Sequence, residues 1–477
     1  MDPILLNKSR YVPVVLSLLT CGGDISAQNS PEQHKKYNIL FIASDDLNSD
    51  MHCYGHSSVH TPNLDKLVSI GVRFDQAYNQ FPLSGPSRAS LMTGYRPDKT
   101  GVKDLKTNFR DNLPNAVTIA QLFKENGYFS GRVGKIFHYG VPGDIGTDGS
   151  DDALSWHQCF NPIGIDKTEE HNVTNYTPQR GLGSSLSFMA TEGTDNEHTD
   201  AMVANVAVQM MRRHKEEPFF LAVGFFRPHC PYIAPKKYFE MYPVDEIKLP
   251  EEREDDWEHK PEIAKFTNPL HWGLPVEQRK EVLQAYYASI TFMDAQVGKL
   301  LDALEELGLK DNTIIVFWSD HGYHTGHHGQ WMKQSLFEHV AQTPLIISVP
   351  GLTKGVPSPR IVEFIDIYPT LAELCHLPAP ADLQGTSLIP LLKEPCASWN
   401  RPAFTQVIRR KSGKDVDGRS IRTERYRYTE WAEGKEGVEL YDYEKDPLEF
   451  NNQAMNPKYK KLVKELSAQL KSSYVNE

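Results

Sequence analysis

The sequence predicts an α/β protein, in which a large, mostly parallel β-sheet is sandwiched by helices and followed by a smaller C-terminal α+β subdomain. Short apolar segments alternate with segments of helical periodicity along most of the chain, which is typical of a sheet covered on both faces. After Pro395 the pattern changes to the alternation of antiparallel strands. With 477 residues, 39% hydrophobic and 24% charged, the chain is long enough for both units.

Four apolar segments are predicted to be strands buried on both faces: residues 38–44, 219–226, 313–319 and 344–350. Helical periodicity predicts helices over residues 63–70, 117–126 and 279–307, and Gly71 and Gly127 end the first two. A glycine-bounded strand is expected just before Lys135. The polar segments 140–200 and 251–262 are predicted to be surface insertions, of the kind that often shape a substrate pocket.

These patterns divide the chain into three parts. Residues 1–28 are predicted to be an export signal, because Lys8 and Arg10 precede an apolar segment too short to span a bilayer, and Ala27 offers a cleavage site. Cys21 offers a lipid-anchor alternative, which Thr20 before it disfavours. Residues 37–395 are expected to form the catalytic domain, and residues 396–477 the subdomain with the small antiparallel sheet and a helix.

Charge and cysteine content exclude several classes of function. A net charge of −11 with a pI of about 5.9 argues against nucleic-acid binding and against a broadly basic membrane-binding surface. The cysteines beyond the leader are odd in number and lack CxxC spacing, so neither a disulfide framework nor a zinc knuckle is indicated.

Polar residues follow three of the predicted strands. They are Asp45 and Asp46, then the segment Arg227-Pro228-His229, then Asp320 and His321. Ligands of parallel sheets bind beyond the carboxyl ends of the strands, so these groups are expected to lie at one edge. Adjacent aspartates repel each other without a cation, and carboxylate oxygens are the ligands that Ca²⁺ and Mg²⁺ prefer. The sequence therefore predicts a divalent metal site at this edge.

Two further segments add cations and histidines. Lys135 and His138 follow the glycine-bounded strand, where they would supply a cation and a proton carrier. The segment "HGYHTGHHGQWMK" is dense in histidine, which makes a zinc site the second choice for the metal. It contains His321, His324, His327, His328 and Lys333.

The segment "PLSGPSRASLMTG" places Ser84 just before a predicted helix that starts near Ser87 and ends at Gly94. Free backbone N–H groups at the helix start and Arg88 one turn later would hold an anion there. An ordinary N-capped surface helix explains this segment equally well.

The chain resembles the sulfatases of the alkaline-phosphatase superfamily over nearly its whole mature length. One family signature matches Ser84, Pro86, Ser87, Arg88, Met92, Thr93 and Gly94, and a second matches Gly127, Tyr128, Ser130, Gly134, Lys135 and His138. The segment "ELYDYEKDPLEFNN" is similar to the closing strand and turn of the family. The segments "PFFLAVGFFRPHCPY" and "GKIFH" and the pair Asp320-His321 resemble the iduronate-2-sulfatase branch.

The resemblance implies a role for each residue of the predicted site. Ser84 would be converted to formylglycine, whose hydrated aldehyde is the nucleophile. Arg88, Lys135 and Lys333 would offset charge on the sulfuryl group. His229 would protonate the leaving sugar oxygen and His138 would accept a proton from the formylglycine hydroxyl. A calcium ion, with Mg²⁺ as second choice, would be held by Asp45, Asp46, Asp320, His321 and residue 84.

The resemblance also implies the substrate, the partners and the location. We expect a sulfatase acting on sulfated oligosaccharides of heparin, heparan sulfate, chondroitin or dermatan, as an exo-acting enzyme on 2-O-sulfated uronic acid, saturated or unsaturated. Arg227, His324 and Lys236 are candidates for binding the uronate carboxylate. A serine at position 84 implies a bacterial sulfatase-maturing enzyme, unless it replaces a native cysteine, and a periplasmic or cell-surface location.

Two alternatives use the same fold. One is a phosphoesterase of the superfamily with unmodified Ser84 as nucleophile, against which the full signature around Ser84 argues. The other is a noncatalytic, exported glycan-binding protein, which the complete set of metal, nucleophile and acid residues disfavours.

Overall fold

A computed structural model describes residues 36–475, so the predicted export signal lies outside the described residues. Within this range the strands are β1 (Asn38–Asp45), β2 (Val72–Tyr78), β3 (Phe129–Gly134), β4 (Gln158–Phe160), β5 (Thr174–Asn175), β6 (Ser187–Thr191), β7 (Phe219–Pro228), β8 (Tyr232–Pro235), β9 (Thr313–Ser319), β10 (His324–Thr325), β11 (Trp331–Met332), β12 (Leu345–Ser348), β13 (Ser358–Glu363), β14 (Ala403–Lys411), β15 (Lys414–Arg422), β16 (Tyr426–Trp431) and β17 (Gly437–Asp442).

The α-helices of the same range are α1 (Pro62–Val68), α2 (Ser84–Thr93), α3 (Pro97–Thr100), α4 (Phe109–Asn112), α5 (Ile119–Glu125), α6 (Ile165–Thr168), α7 (Thr199–Arg213), α8 (Lys236–Phe239), α9 (Val276–Glu306), α10 (Glu338–Ala341), α11 (Ile367–Leu374), α12 (Ile389–Lys393) and α13 (Lys460–Val475). None of the described helices combines the length and the apolar character needed to cross a bilayer.

Eight strands form the main sheet in the order β13-β2-β12-β9-β1-β7-β3-β4. The central strand β1 pairs in parallel with β7 and β9, and β3 pairs in parallel with β7 and β4. Because β1, β7 and β9 point the same way, their carboxyl ends lie side by side at one edge of the sheet. The mostly parallel sheet predicted from the sequence is confirmed.

Alternate residues of β1 explain why this strand is apolar throughout. Leu40 and Ile42 pack on one face of the sheet in a core that includes apolar residues of α7 and α9. Ile39 and Phe41 pack on the other face with apolar residues of α5 and α11. Every residue of β1 is buried, so alternation between polar and apolar positions is not possible there.

The structure differs from the sequence-based prediction in the direction of one strand and in the start of one helix. The apolar segment 344–350 forms β12, which is antiparallel to both of its neighbours, β9 and β2. Parallel neighbours are usually joined by a crossover helix. The connection from β9 to β12 contains no long helix, and β12 runs antiparallel to β9. The helix α2 begins at Ser84 rather than near Ser87, because a proline is tolerated in the first helical turn, where its missing N–H is not needed.

The C-terminal unit contains a four-stranded antiparallel sheet, β14-β15-β16-β17, against which α13 packs. It is tied to the rest of the protein by buried charges. Arg427 pairs with Glu338 of α10. Glu363 at the end of β13 accepts two hydrogen bonds from Arg96 and one from the backbone of Phe404. The C-terminal sheet is therefore fixed to α10 and to the carboxyl end of β13.

Candidate active site

The candidate active site lies at the carboxyl edge of β1, β7 and β9. Asp45 ends β1, and Asp46 follows with a left-handed backbone (φ 64°) that turns the chain across the edge. The backbone N–H of Asp46 donates to Asp320 Oδ1 at 3.1 Å, directly after β9. The three carboxylates that the sequence predicts at the ends of two strands, β1 and β9, are thus brought together, and all are buried.

Ser84 begins α2 within this site. Its Oγ lies 3.2 Å from His321 Nε2, and the side chain is buried. The other ring nitrogen of His321, Nδ1, lies 2.9 Å from the carbonyl of Gly322 and donates to it. With Nδ1 donating, Nε2 is the ring nitrogen that faces the Ser84 hydroxyl. Ser87 donates its hydroxyl to the carbonyl of Asp320, which joins the first turn of α2 to the end of β9.

Arg88 joins three strand ends through its fully buried guanidinium. Nε donates to Asp320 Oδ2 and Nη2 to Asp45 Oδ1, each at 3.0 Å. Nη1 donates to the carbonyls of Lys135 and Ile136 at 3.0 and 2.9 Å. Burial opposes its charge, but Asp320 and Asp45 more than offset burial and raise the pKa of Arg88.

Two lysines complete the charge balance. Lys135 Nζ donates to Asp45 Oδ2 at 2.6 Å, and Lys333 Nζ contacts both carboxylate oxygens of Asp46 at 2.6 and 2.9 Å. Burial lowers the pKa of Lys135, whereas for Lys333 the aspartates outweigh burial and raise its pKa. In their usual charged forms, three carboxylates face Arg88 and these two lysines, so the charges cancel. A divalent cation is therefore best accommodated together with an anion such as sulfate.

The residues present fit a divalent metal ion. Within the described part of the chain, Asp46, Asp320 and His321 form the one group whose ligand atoms all lie within 4.8 Å of one another. His321 Nε2 is 3.4 Å from Asp46 Oδ1 and 3.6 Å from Asp320 Oδ2, spacings that suit ligands about 2.4 Å from a shared ion. Burial raises the pKa of both carboxyls, but nearby positive groups outweigh it and hold both below their usual value.

Two other predicted metal assignments look different in the structure. Both oxygens of Asp45 are taken up by Arg88 and Lys135, so its role as a ligand stays a prediction. The rings of His324, His327 and His328 lie close together. Among the described residues, however, they are not part of a group of three ligands whose atoms all lie within 4.8 Å of one another. The structure therefore favours the carboxylate group over the histidine cluster.

His229 lies near Asp46 Oδ2, whereas His321 lies near Asp46 Oδ1. The Nε2 of His229 is 3.6 Å from Asp46 Oδ2, and its Nδ1, 2.6 Å from the carbonyl of Cys230, donates to that carbonyl. Burial lowers the pKa of His229 to about 4, against the opposing charge of Asp46. An anionic sulfate ester nearby would raise this pKa and favour a proton on Nε2.

His138 follows β3 and has a buried Nδ1 with no hydrogen-bond partner in the structure. Burial, and then Lys135 and Lys333, hold its pKa well below the usual value, so the ring is neutral and can accept a proton. His138 lines the same cavity as Gly85 and Ala89 of α2, which brings it next to the helix that begins at Ser84.

Two of the residues predicted to bind a substrate carboxylate do not face the site. Arg227 is buried, and its nitrogens donate to Asp166 and to the carbonyls of His229 and Ile233 at 2.9 to 3.0 Å, so it is structural. Lys236 lies at the surface in an ion pair with exposed Glu192. Arg227 lies at the end of β7 and Lys236 directly after β8, much as His229 follows β7. Only the packing of their side chains distinguishes them from His229.

Sequence reasoning missed a residue that positions the His229 segment. Asp200, in the first turn of α7, accepts hydrogen bonds from the backbone N–H groups of Phe226 and Arg227 at 2.8 and 2.9 Å. Burial raises the pKa of Asp200 to about 7. In the sequence, Asp200 shows only the pattern of an acidic residue at a helix start, which gives no signal of contact with β7.

Comparison with known proteins agrees with this geometry. Residues 37–377 match the Sulfatase family, and residues 326–476 match the family described as N-sulphoglucosamine sulphohydrolase, C-terminal. Iduronate 2-sulfatase of Homo sapiens is 32% identical over 507 residues, covering 87% of this chain and 90% of that protein. Delta 4,5-hexuronate-2-O-sulfatase of Bacteroides thetaiotaomicron is 28% identical over 480 residues, covering 95% and 91%.

The fold is shared with a solved protein in complex with its substrate, D-glucosamine-2-N,6-O-disulfate. The two structures superpose with a TM-score of 0.72 at 23% identity, over 92% of this chain and 97% of that one. The sequence thus matches sulfatases over most of the chain, and the fold matches this solved protein over 92% of it. The enzyme class expected from the two signatures is confirmed, and the chain belongs to the sulfatase family.

Proposed function

We propose that the protein is an exo-acting sulfatase that removes the 2-O-sulfate from a terminal uronic acid, saturated or unsaturated, of glycosaminoglycan fragments. The observation that carries the sulfatase chemistry is the position of Ser84, at the start of α2 and 3.2 Å from His321, beside Arg88 and the group Asp46, Asp320 and His321. An anion bound there would meet the helix N-terminus and the cations together.

The substrate class rests on the relatives. Two proteins that match along most of this chain are named for 2-O-sulfated uronic acids, an iduronate 2-sulfatase and a hexuronate-2-O-sulfatase. A uronate 2-sulfate carries a carboxylate as well as a sulfate. Its pocket must therefore offer positive or hydrogen-bonding groups beyond those at Ser84.

The first chemical step is the maturation of Ser84. A sulfatase-maturing enzyme would oxidise the CH₂OH group to an aldehyde, removing two hydrogens to its own oxidant, and water would add to give a geminal diol. One hydroxyl oxygen then attacks sulfur, and the bond between sulfur and the sugar oxygen breaks. Arg88, Lys135 and Lys333, which contact Asp45 and Asp46, would offset the charge on the sulfuryl group during this transfer.

Two histidines would move the protons. His229 donates from Nε2 to the sugar oxygen as it leaves, with Nδ1 anchored on the carbonyl of Cys230. His138, neutral and with a free Nδ1, accepts the proton of the second hydroxyl. The bond between that carbon and the sulfate oxygen then breaks, sulfate leaves, and the aldehyde forms again. Unmodified serine lacks the second hydroxyl and would keep the sulfate as an ester.

Asp46, Asp320 and His321, with Asp45 and residue 84, would hold the metal ion, with Ca²⁺ preferred and Mg²⁺ as second choice. When bound, the ion polarises a sulfate oxygen and lowers the pKa of the nucleophilic hydroxyl. We also propose export to the bacterial periplasm or cell surface, on the basis of the sequence of residues 1–28.

Two measurements test the proposed function. Mass spectrometry of the peptide containing Ser84, from a host with the maturing enzyme, is expected to show a loss of two hydrogens and reaction with a hydrazide. Matured protein is expected to hydrolyse a 2-O-sulfated uronate disaccharide and to act little on 6-O- or N-sulfated glucosamine. Full activity with an intact serine would contradict the mechanism, and a preference for glucosamine 6-sulfate would contradict the substrate.

A further inference from the structure

Two arginines from distant parts of the chain lie against the same aromatic ring. The guanidinium carbon of Arg180 is 5.9 Å from the centroid of Phe266, and that of Arg409, on β14, is 5.4 Å from it. Arg180 also stacks on Trp272 at 4.2 Å. Within the described part of the chain neither arginine has a carboxylate within ion-pair distance, whereas Arg88 and Arg227 have carboxylate partners.

Arg409 is buried with much of its hydrogen-bonding capacity unused. Its Nη2 donates to the carbonyl of Gln334, but Nε and Nη1 are buried without any partner in the structure. Burial lowers its pKa to about 10, and Glu439 offsets this only in part. A buried cation without a counter-charge is destabilising, so an anion at this position would relieve the cost of burial.

This pair of arginines borders the candidate active site. Gln334, which receives the Arg409 hydrogen bond, follows Lys333, and its own N–H donates to the carbonyl of Pro82 at 2.9 Å, two residues before Ser84. The backbone N–H of Phe266, the ring that both arginines contact, donates to Gln330 Oε1 at 2.7 Å, three residues before Lys333.

A third group with unused capacity lies next to Lys333. His324 pairs with Met332, the residue before Lys333, and both ring nitrogens of His324 are buried without a hydrogen-bond partner in the structure. A ring nitrogen carrying hydrogen can donate to an anion. Arg409 and His324 therefore have unused nitrogens near the segment that carries Lys333. Arg180 donates from Nε to the carbonyl of Ser184 at 2.7 Å and shares the Phe266 ring with Arg409.

We propose that Arg180, Arg409 and His324 form an anion-binding subsite. It binds the carboxylate of the uronic acid whose 2-O-sulfate lies at Ser84. The inference rests on the proposed function and assigns the residues that select its substrate. The carboxylate and the 2-O-sulfate of a uronic acid are attached at opposite ends of the pyranose ring. The two groups therefore need two separate cationic sites. Phe266 packs against both guanidinium groups and Trp272 against that of Arg180. The nitrogens of Arg180 other than Nε, and those of Arg409 other than Nη2, would donate to the carboxylate.

The test compares three substrates of the matured enzyme. The first is a disaccharide of 2-O-sulfated uronate and N-acetylglucosamine, which has one sulfate and one carboxylate, so no second sulfate can occupy the subsite. The second is the same compound with the carboxylate reduced to an alcohol, and the third is 4-nitrophenyl sulfate. The variants are Arg180→Gln, Arg409→Lys and, as a control with a surface ion pair, Lys236→Gln.

Arg180→Gln is expected to lower kcat/KM on the first substrate by about 10- to 100-fold, mainly through KM, because one charge-assisted hydrogen-bonding group is lost. Less than about a threefold change is expected on the other two substrates, and Lys236→Gln is expected to resemble wild type on all three. Arg409→Lys is expected to show the same dependence on the carboxylate, with thermal unfolding measured in parallel to check folding.

Equal losses for Arg180→Gln on the carboxylate and the alcohol would overturn the subsite and leave the proposed function standing. Wild-type enzyme that hydrolyses neither uronate compound but does hydrolyse 4-nitrophenyl sulfate would overturn the proposed substrate and the subsite together.

Discussion

Replacing Arg88 with lysine is expected to destabilise the protein through the network that joins three strand ends. The guanidinium makes four hydrogen bonds, to Asp320, to Asp45 and to the carbonyls of Lys135 and Ile136. A lysine carries a single nitrogen and cannot bridge two carboxylates in the geometry of a planar fork. One of the two aspartates therefore loses its buried ion pair with residue 88.

The size of the effect follows from this loss. Breaking a buried ion pair by removing one partner costs about 3 to 5 kcal/mol. The entropy of unfolding is about 2 cal/mol/K per residue, which is about 1 kcal/mol per degree for 477 residues. Arg88→Lys is therefore expected to lower Tm by about 3 to 5 °C.

Differential scanning calorimetry in EDTA measures this change without a contribution from bound metal. Arg425→Lys is the matched control, because Arg425 makes two 2.8 Å bonds to Asp442 but is partly exposed. A surface pair of this kind contributes about 1 kcal/mol or less, so the control is expected to lose no more than about 1 °C. An Arg88→Lys protein as stable as the control would refute the reasoning.

Three further predictions concern the metal, the acid and the pH dependence. EDTA is expected to abolish hydrolysis of sulfate esters and Ca²⁺ to restore it; restoration by Zn²⁺ but by neither Ca²⁺ nor Mg²⁺ would favour the histidine cluster instead. His229→Ala is expected to lower kcat about 100- to 10,000-fold on sugar sulfates and far less on aryl sulfates with good leaving groups, whereas equal losses would contradict its role as acid. Burial raises the pKa of Asp294 to about 6. Between about pH 4 and pH 6 the folded state therefore binds a proton that the unfolded chain does not. The stability that this proton contributes is lost as the pH rises through 6. Asp294→Asn is expected to remove about 1 kcal/mol of pH dependence between pH 5 and pH 7 in urea unfolding, and an unchanged dependence would contradict this.

The strands that the sequence predicts well are those buried on both faces. The segments 38–44 and 313–319 match β1 and β9 to within one residue, because a continuous apolar segment of this length has few other uses. The strands β2 and β13 were not predicted from the sequence. Both contain charged residues and lie at or near one end of the sheet, so their apolar pattern is weaker.

The residues of the candidate site were predictable where their positions follow from parallel strands. Asp45, His229 and Asp320 meet because β1, β7 and β9 are neighbours in register, so polar residues after each strand reach the same edge. The direction of Arg227 was not predictable in this way. Its side chain turns toward buried Asp166, a partner 61 positions away in the chain.

The sequence by itself determined the fold class and the family, because both depend on local patterns: apolar segments, strand ends and two contiguous signatures. Only the tertiary structure decided which polar groups are already paired and which are free. Arg180 comes from an insertion and Arg409 from the C-terminal sheet, and no local pattern distinguishes them from other arginines. They meet at Phe266 because the C-terminal unit packs against the carboxyl edge of the main sheet, and contacts between distant segments arise only from that packing.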